Sequence, residues 1–204
     1  MKLLITRHGE TEWNLIRRYQ GQSDIPLNQK GIQQAEQIAK RLSSEKIDAI
    51  YSSDLCRTVY TAQAISAFHA LEIAKDDRWR ELSFGKWEGL NHEEINASWH
   101  DEVTKWYSDP VNSSPPNSET LLQLAGRIHS ALDELKDKHK DETVLIVSHS
   151  GAIQALLCLA LGVDLSRYWQ FRPLQASLTI LSYYPEGACL HLFNDTSHLQ
   201  EKLT

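Results

Sequence analysis

Two short runs constrain this chain more than anything else in it: "KLLIT" (Lys2 to Thr6) and "TVLIVSH" (Thr143 to His149). Each is mostly apolar, too short for a helix of its own, and leads into a histidine and a glycine turn, as "RHG" and "SHSG". Strands apolar on both faces belong in a sheet covered on both sides, which is the habit of parallel α/β sheets. Elsewhere the apolar period changes to that of helices. "QKGIQQAEQIAKRL" puts Ile32, Ala35, Ala39 and Leu42 on one stripe, with Asn28 as its N-cap. "IDAIYSS" (Ile47 to Ser53) reads as a strand, and the stretch from about Leu55 to Phe68 as a helix. "SETLLQLAGRIHSALDELKDKH" carries Leu121, Ala125, Ile128, Leu132 and Leu135 on one face, with Ser118 as candidate cap. "GAIQALLCLAL" reads as a buried helix, and "SLTILSYY" and "CLHLF" close the chain as strands. The alternation predicts an α/β three-layer sandwich, a mainly parallel central sheet flanked by helices, as one domain over residues 1–204. Residues 85–117, rich in Trp, Asn, Ser and Pro, look like a loose insertion of the kind that forms a lid.

Charge narrows the partners. A formal net charge of −6 argues against nucleic acid, whose backbone is bound by clustered Lys and Arg. Any basic site is therefore local. Cys56, Cys158 and Cys189 are odd in number and outside any C-x-x-C pattern, which fits a reducing cytoplasm and neither a disulfide framework nor a zinc clip. No apolar stretch reaches membrane-spanning length, and no signal peptide is visible, so a cytoplasmic protein is expected. A monomer and a homodimer are equally compatible with the sequence.

In parallel sheets, ligands sit at the carboxyl ends of strands. If both histidine-bearing strands are parallel and central, His8 and His149 share one sheet edge. Either alone reads as a histidine at a loop start; together they suggest a site. Ser150 and Gly151 begin a helix whose free N–H groups favour an anion. Arg57 falls in the first turn of its helix, where the dipole disfavours a cation, so it either points into solvent or meets a bound anion. With Arg7, it could fork onto phosphate oxygens. Arg17, Arg18 and Tyr19 read as a solvated basic turn, with contact to a substrate as the other reading. Trp13, Trp79 and Trp169 read as packing residues.

"RHGETEWN", "YQGQSDIPLNQKG", "YSSDLCRTVYTA", "RELSFGKWEG" and "VSHSGAI" resemble, in order, the histidine phosphatase superfamily in its phosphoglycerate-mutase-like branch. The resemblance implies a phosphohistidine mechanism that needs neither metal nor cofactor, acting on a small-molecule phosphomonoester. His8 would be the nucleophile, Arg7, Arg57 and His149 the clamp on the phosphoryl oxygens, and Glu81 the acid and base. Asn14, Gln20, Gly21 and Ser150 occupy positions that line the substrate pocket in the family. Glu81 is selected over Glu10 and Glu88 by the resemblance alone.

Within the family, members are hydrolases or mutases. Between Glu88 and Glu119 stand seven acidic residues and one basic, Lys105, and such a lid would repel the second phosphate a mutase must hold. Hydrolysis is therefore expected, with phosphoglycerate mutase or a broad phosphatase acting on phosphoserine or sugar phosphates as the alternative. Packing accounts for Trp99, Trp106 and Tyr107 in the lid, and stacking on a heterocyclic leaving group is the other reading. "LSRYWQFRPLQASLTIL" and "FNDTSHL" resemble the α-ribazole phosphatases of cobalamin assembly. A metal hydrolase is disfavoured because no H-x-H or H-E-x-x-H pattern is present and arginines oppose a cation. A non-catalytic phospho-ligand binder is the remaining class.

Overall fold

A computed structural model describes residues 1–199. The strands β1 (Lys2–Arg7), β2 (Ala49–Ser52), β3 (Ile73–Lys75), β4 (Thr143–Ser148), β5 (Leu178–Tyr184) and β6 (Gly187–Asp195) form one sheet in the order β3-β2-β4-β1-β5-β6. Pairings from β3 through β1 are parallel, and β5 and β6 add an antiparallel hairpin beside β1. The helices are α1 (Glu12–Leu15), α2 (Gln29–Leu42), α3 (Cys56–Ser66), α4 (His92–Ser98), α5 (His100–Ser108), α6 (Leu121–Lys138) and α7 (Ser150–Leu161).

Alternation along the central strands divides the core into two layers. Leu4, Leu145 and Val147 face one side, where Ile38, Leu42, Ala62 and Ile65 from α2 and α3 meet them. Leu3, Ile5, Val144 and Ile146 face the other, against Leu124, Ile128 and Leu156 from α6 and α7. Both faces of β1 and β4 are thus covered, as their unbroken apolar runs require. Asn28 caps α2 by accepting from Gly31 N at 2.8 Å, as its sequence suggests.

Three expectations need correction. The cap of α6 is Thr120, not Ser118: its hydroxyl accepts from Gln123 N while the Gln123 side chain accepts from Thr120 N, a reciprocal capping box. Strand β3 was not anticipated, because three residues with two exposed side chains leave no apolar pattern. Residues 85–117 are not loose. Helices α4 and α5 fold there, and Trp87, Ile95, Val103 and Trp106 are buried in the same core layer as α6 and α7. Packing, not ligand stacking, therefore explains Trp106. Trp99 packs against that layer too, and of the three rings only Tyr107 is exposed.

Candidate active site

The register of β1 on β4 pairs Arg7 with Ser148, so His8 and His149 leave the same edge of the sheet with ring centroids 5.1 Å apart. His8 N donates to Ser148 O at 3.0 Å and Ser53 N to Val147 O at 3.1 Å, which draws the ends of three strands together. Arg57, the second residue of α3, extends into this edge.

Hydrogen bonding fixes the tautomers. His8 Nδ1 lies 2.7 Å from Gly9 O, a carbonyl that can only accept, so Nδ1 carries the proton and Nε2 a free lone pair. Arg57 Nε donates to His149 Nδ1 at 3.3 Å, which leaves the proton of His149 on Nε2, 3.0 Å from Ser53 Oγ. Burial, then the Arg57 and Arg7 charges, holds the His8 pKa well below its ordinary value. Burial, then Arg57, does the same to His149. Both rings are neutral at neutral pH.

Arg57 does not point into solvent: it is buried and lines a cavity with His8. Its Nη1 donates to Ser23 O at 2.7 Å and its Nη2 to Gly21 O at 2.8 Å, so backbone carbonyls hold the guanidinium. Arg7 Nη1 donates to Pro173 O at 3.0 Å, and its Nε is buried without a hydrogen-bond partner among the described residues. Burial lowers the Arg7 pKa to about 10, which leaves it charged. The N-terminus of α7 is occupied from within: Glu81 Oε1 accepts from Gly151 N and from Leu82 N, each at 2.9 Å. Its other oxygen makes no hydrogen bond among the described residues.

Supports behind these groups were invisible in the sequence. Arg127 donates to the carbonyls of Arg78, Arg80 and Glu81 and pairs with Glu119 at 2.6 Å, fixing the Glu81 loop to α6. Glu88 accepts from the N–H groups of Gln22, Ser23 and Phe84. Gly21, at φ +51°, lies so close to Glu88 Oε1 that no Cβ fits. Glu88, Glu94 and Glu119 are therefore engaged with the protein, and the charge argument against a second phosphate loses much of its weight.

Arg7, His8, Asn14, Gln20, Gly21, Arg57, Glu81 and Ser150 line one cavity of about 270 Å³. Asn14 gives its Oδ1 to Thr11, which leaves its amide N–H₂ for the cavity. His149 does not line it; its ring stands behind, with both nitrogens engaged. Trp13, Arg17, Arg18, Tyr19 and Phe84 complete the wall, so Trp13 is more than a packing residue and the basic turn faces the site. No residue of 85–117 lines the cavity; the hydroxyl of Tyr107 meets that of Tyr19, a wall residue, at 2.8 Å. Larger hollows of about 620 Å³ between α2 and α3, and about 700 Å³ beside Met1, gather no comparable chemistry.

This constellation, a neutral imidazole with a free lone pair beside the buried Arg57 and the half-buried Arg7, agrees with comparison to known proteins. Residues 3–196 match the sequence pattern of the Histidine phosphatase superfamily (branch 1). The chain belongs to this superfamily. As a histidine phosphatase, it is an enzyme of the phosphatase class. Phosphoserine phosphatase 1 of Hydrogenobacter thermophilus is 36% identical, over 98% of this chain and 95% of that one. The protein named "Probable phosphoglycerate mutase GpmB" in Proteus mirabilis is 34% identical, over 98% and 96%. The α-ribazole phosphatase structure from Shigella flexneri superposes with a TM-score of 0.89 at 27% identity, covering 96% of each chain. The mainly parallel six-stranded sheet flanked by helices is the fold these histidine phosphatases share. Among the described residues no helix is long and apolar enough to cross a membrane.

Proposed function

We propose that this histidine phosphatase hydrolyses a compact phosphomonoester by way of a phosphohistidine on His8. The observation that carries the reading is the unprotonated, unpartnered Nε2 of a neutral His8 in a cavity flanked by two cationic guanidiniums. Nε2 attacks phosphorus as the ester P–O bond breaks, and the leaving oxygen takes a proton from Glu81 Oε2. Glu81 then removes a proton from water, whose oxygen displaces His8 and releases inorganic phosphate. Arg7 and Arg57 balance the charge on the transferring oxygens, and the Asn14 amide, Gln20 and Ser150 orient them. His149 acts as a positioning residue, orienting the Arg57 guanidinium through Nε.

Among the described residues no group of three His, Cys, Asp or Glu side chains could hold a metal ion. The cavity of about 270 Å³ has room for a phosphoryl group and a few carbons, and a longer leaving portion would extend through its open mouth. The similarity to α-ribazole phosphatases supports the α-ribazole phosphate reading, without the help of an aromatic lid. The similarity to phosphoserine phosphatase 1 supports a small substrate.

The decisive experiment is rapid acid-free quench during turnover of p-nitrophenyl phosphate, followed by peptide mass spectrometry. An alkali-stable, acid-labile phosphate on the peptide holding His8, absent from H8A, is expected. A wild-type enzyme that turns over while carrying its label elsewhere would refute the mechanism. Phosphoglycerate mutase activity matching hydrolysis would refute the choice of hydrolase.

A further inference from the structure

Arg17 occupies a position that its own backbone makes unfavourable. Helix α1 ends with Arg18 N donating to Trp13 O at 2.8 Å and Arg17 N to Asn14 O at 3.2 Å. This is the Schellman pattern, whose left-handed residue is usually glycine and sometimes asparagine. Here that residue is Arg17, at φ +56°. A long side chain gains nothing locally from such a conformation. Nor does the rest of the protein use it: the Arg17 side chain makes no hydrogen bond or ion pair among the described residues, whereas that of the next residue, Arg18, is tied to Gly89 O and to Glu94 at 3.0 Å. Arg17 nevertheless lines the wall of the His8 cavity beside Trp13 and Tyr19.

We infer that Arg17 is a specificity-determining residue that binds a second anionic group, a carboxylate or a second phosphate, on the substrate's leaving portion. The inference rests on the phosphomonoesterase reading of the same cavity and names the class of ester it prefers. Arg7 and Arg57 are committed to the reacting phosphoryl group deep in the cavity, and Arg17 stands at its exposed rim. A planar fork with five free donors suits an oxyanion, and the turn holds it at a fixed place relative to His8.

The test uses pairs of substrates that differ in one anion. O-phosphoserine against O-phosphoethanolamine, and 3-phosphoglycerate against glycerol 3-phosphate, isolate a carboxylate; fructose 1,6-bisphosphate against fructose 6-phosphate isolates a second phosphate. Wild-type kcat/KM is expected to favour the more anionic member of at least one kind by about tenfold, the worth of one charge-assisted bond at a partly wet rim. In R17G, which relaxes the turn and removes the charge, that ratio is expected to collapse towards one through KM, with R17K intermediate. A ratio that survives in R17G, or wild-type ratios near one for all three pairs, overturns the inference while hydrolysis itself stands. Failure of wild type to turn over any of these esters or p-nitrophenyl phosphate overturns the functional reading and this inference with it.

Discussion

Glu88 lies outside the reacting groups, yet its removal should disable them. Its carboxylate ties together two loops, accepting from Gln22 N at 3.1 Å, Ser23 N at 3.0 Å, Ser23 Oγ at 2.7 Å and Phe84 N at 3.0 Å. The first loop supplies the Gly21 and Ser23 carbonyls that hold Arg57. Glu88→Ala strands three backbone donors in a half-buried place where water can replace the lost acceptor only in part. At about 1 kcal/mol each, the low end for such bonds, the loss is about 3 kcal/mol. In a chain of this size that is a drop of roughly 6–12 °C in Tm. Freed from its carbonyls, Arg57 loses its preorganised position, and kcat should fall by about 10²-fold or more, as when one fixed donor to a transition-state oxyanion is removed. Glu88→Gln keeps one acceptor oxygen and should lie between. Thermal melts and saturation kinetics with p-nitrophenyl phosphate at 25 °C measure both effects. An E88A protein that melts within about 2 °C of wild type and retains kcat within about twofold would show that the loop holds Arg57 unaided.

Arg57→Lys keeps a charge but cannot serve three acceptors in three directions; kcat should fall by about 10²-fold, and retention of most activity would mean that charge alone suffices. Arg127→Leu should lower kcat more than it raises KM, because it releases the loop that aims Glu81; an effect on Tm alone would assign Arg127 to stability only. The neutral histidines predict acid sensitivity. Their folded pKa values lie well below 6.5, so below that pH the unfolded chain takes up protons that the folded chain refuses, and stability falls as pH falls. Between pH ~6.5 and ~5.5 the two together should cost about 2 kcal/mol, measurable by urea unfolding, and a flat profile there would contradict neutral burial.

How far the sequence could be read depended on whether the physics was local. Strands β1 and β4 announce themselves because burial on both faces leaves no polar alternation, and the glycine turns mark where they end. The cap of α6 was legible and misread: Thr120 precedes Gln123 by the spacing of a capping box, a signal Ser118 lacks. Arg127 was not legible at all. It sits on a helix among other charged residues, and its carbonyl partners lie more than forty positions earlier in the chain. Glu88 counted as lid charge until folding turned it inward. Packing was the preferred reading of Trp106, but the sequence could not say against what, because its short helix meets a core built by distant residues.

Strand β1, which leads into His8, finds its sheet neighbours only far along the chain. Lys2 pairs with Thr143 on one side and with Ser182 on the other, so nothing flanks β1 until most of the polypeptide has left the ribosome. Until then its edges stay unpaired, a target for chaperones and for aggregation, even where α2 already covers the face that carries Leu4. Catalytic competence should therefore appear only at the end of folding, and a truncation that removes the terminal hairpin should cost the enzyme its solubility before its chemistry can be asked about.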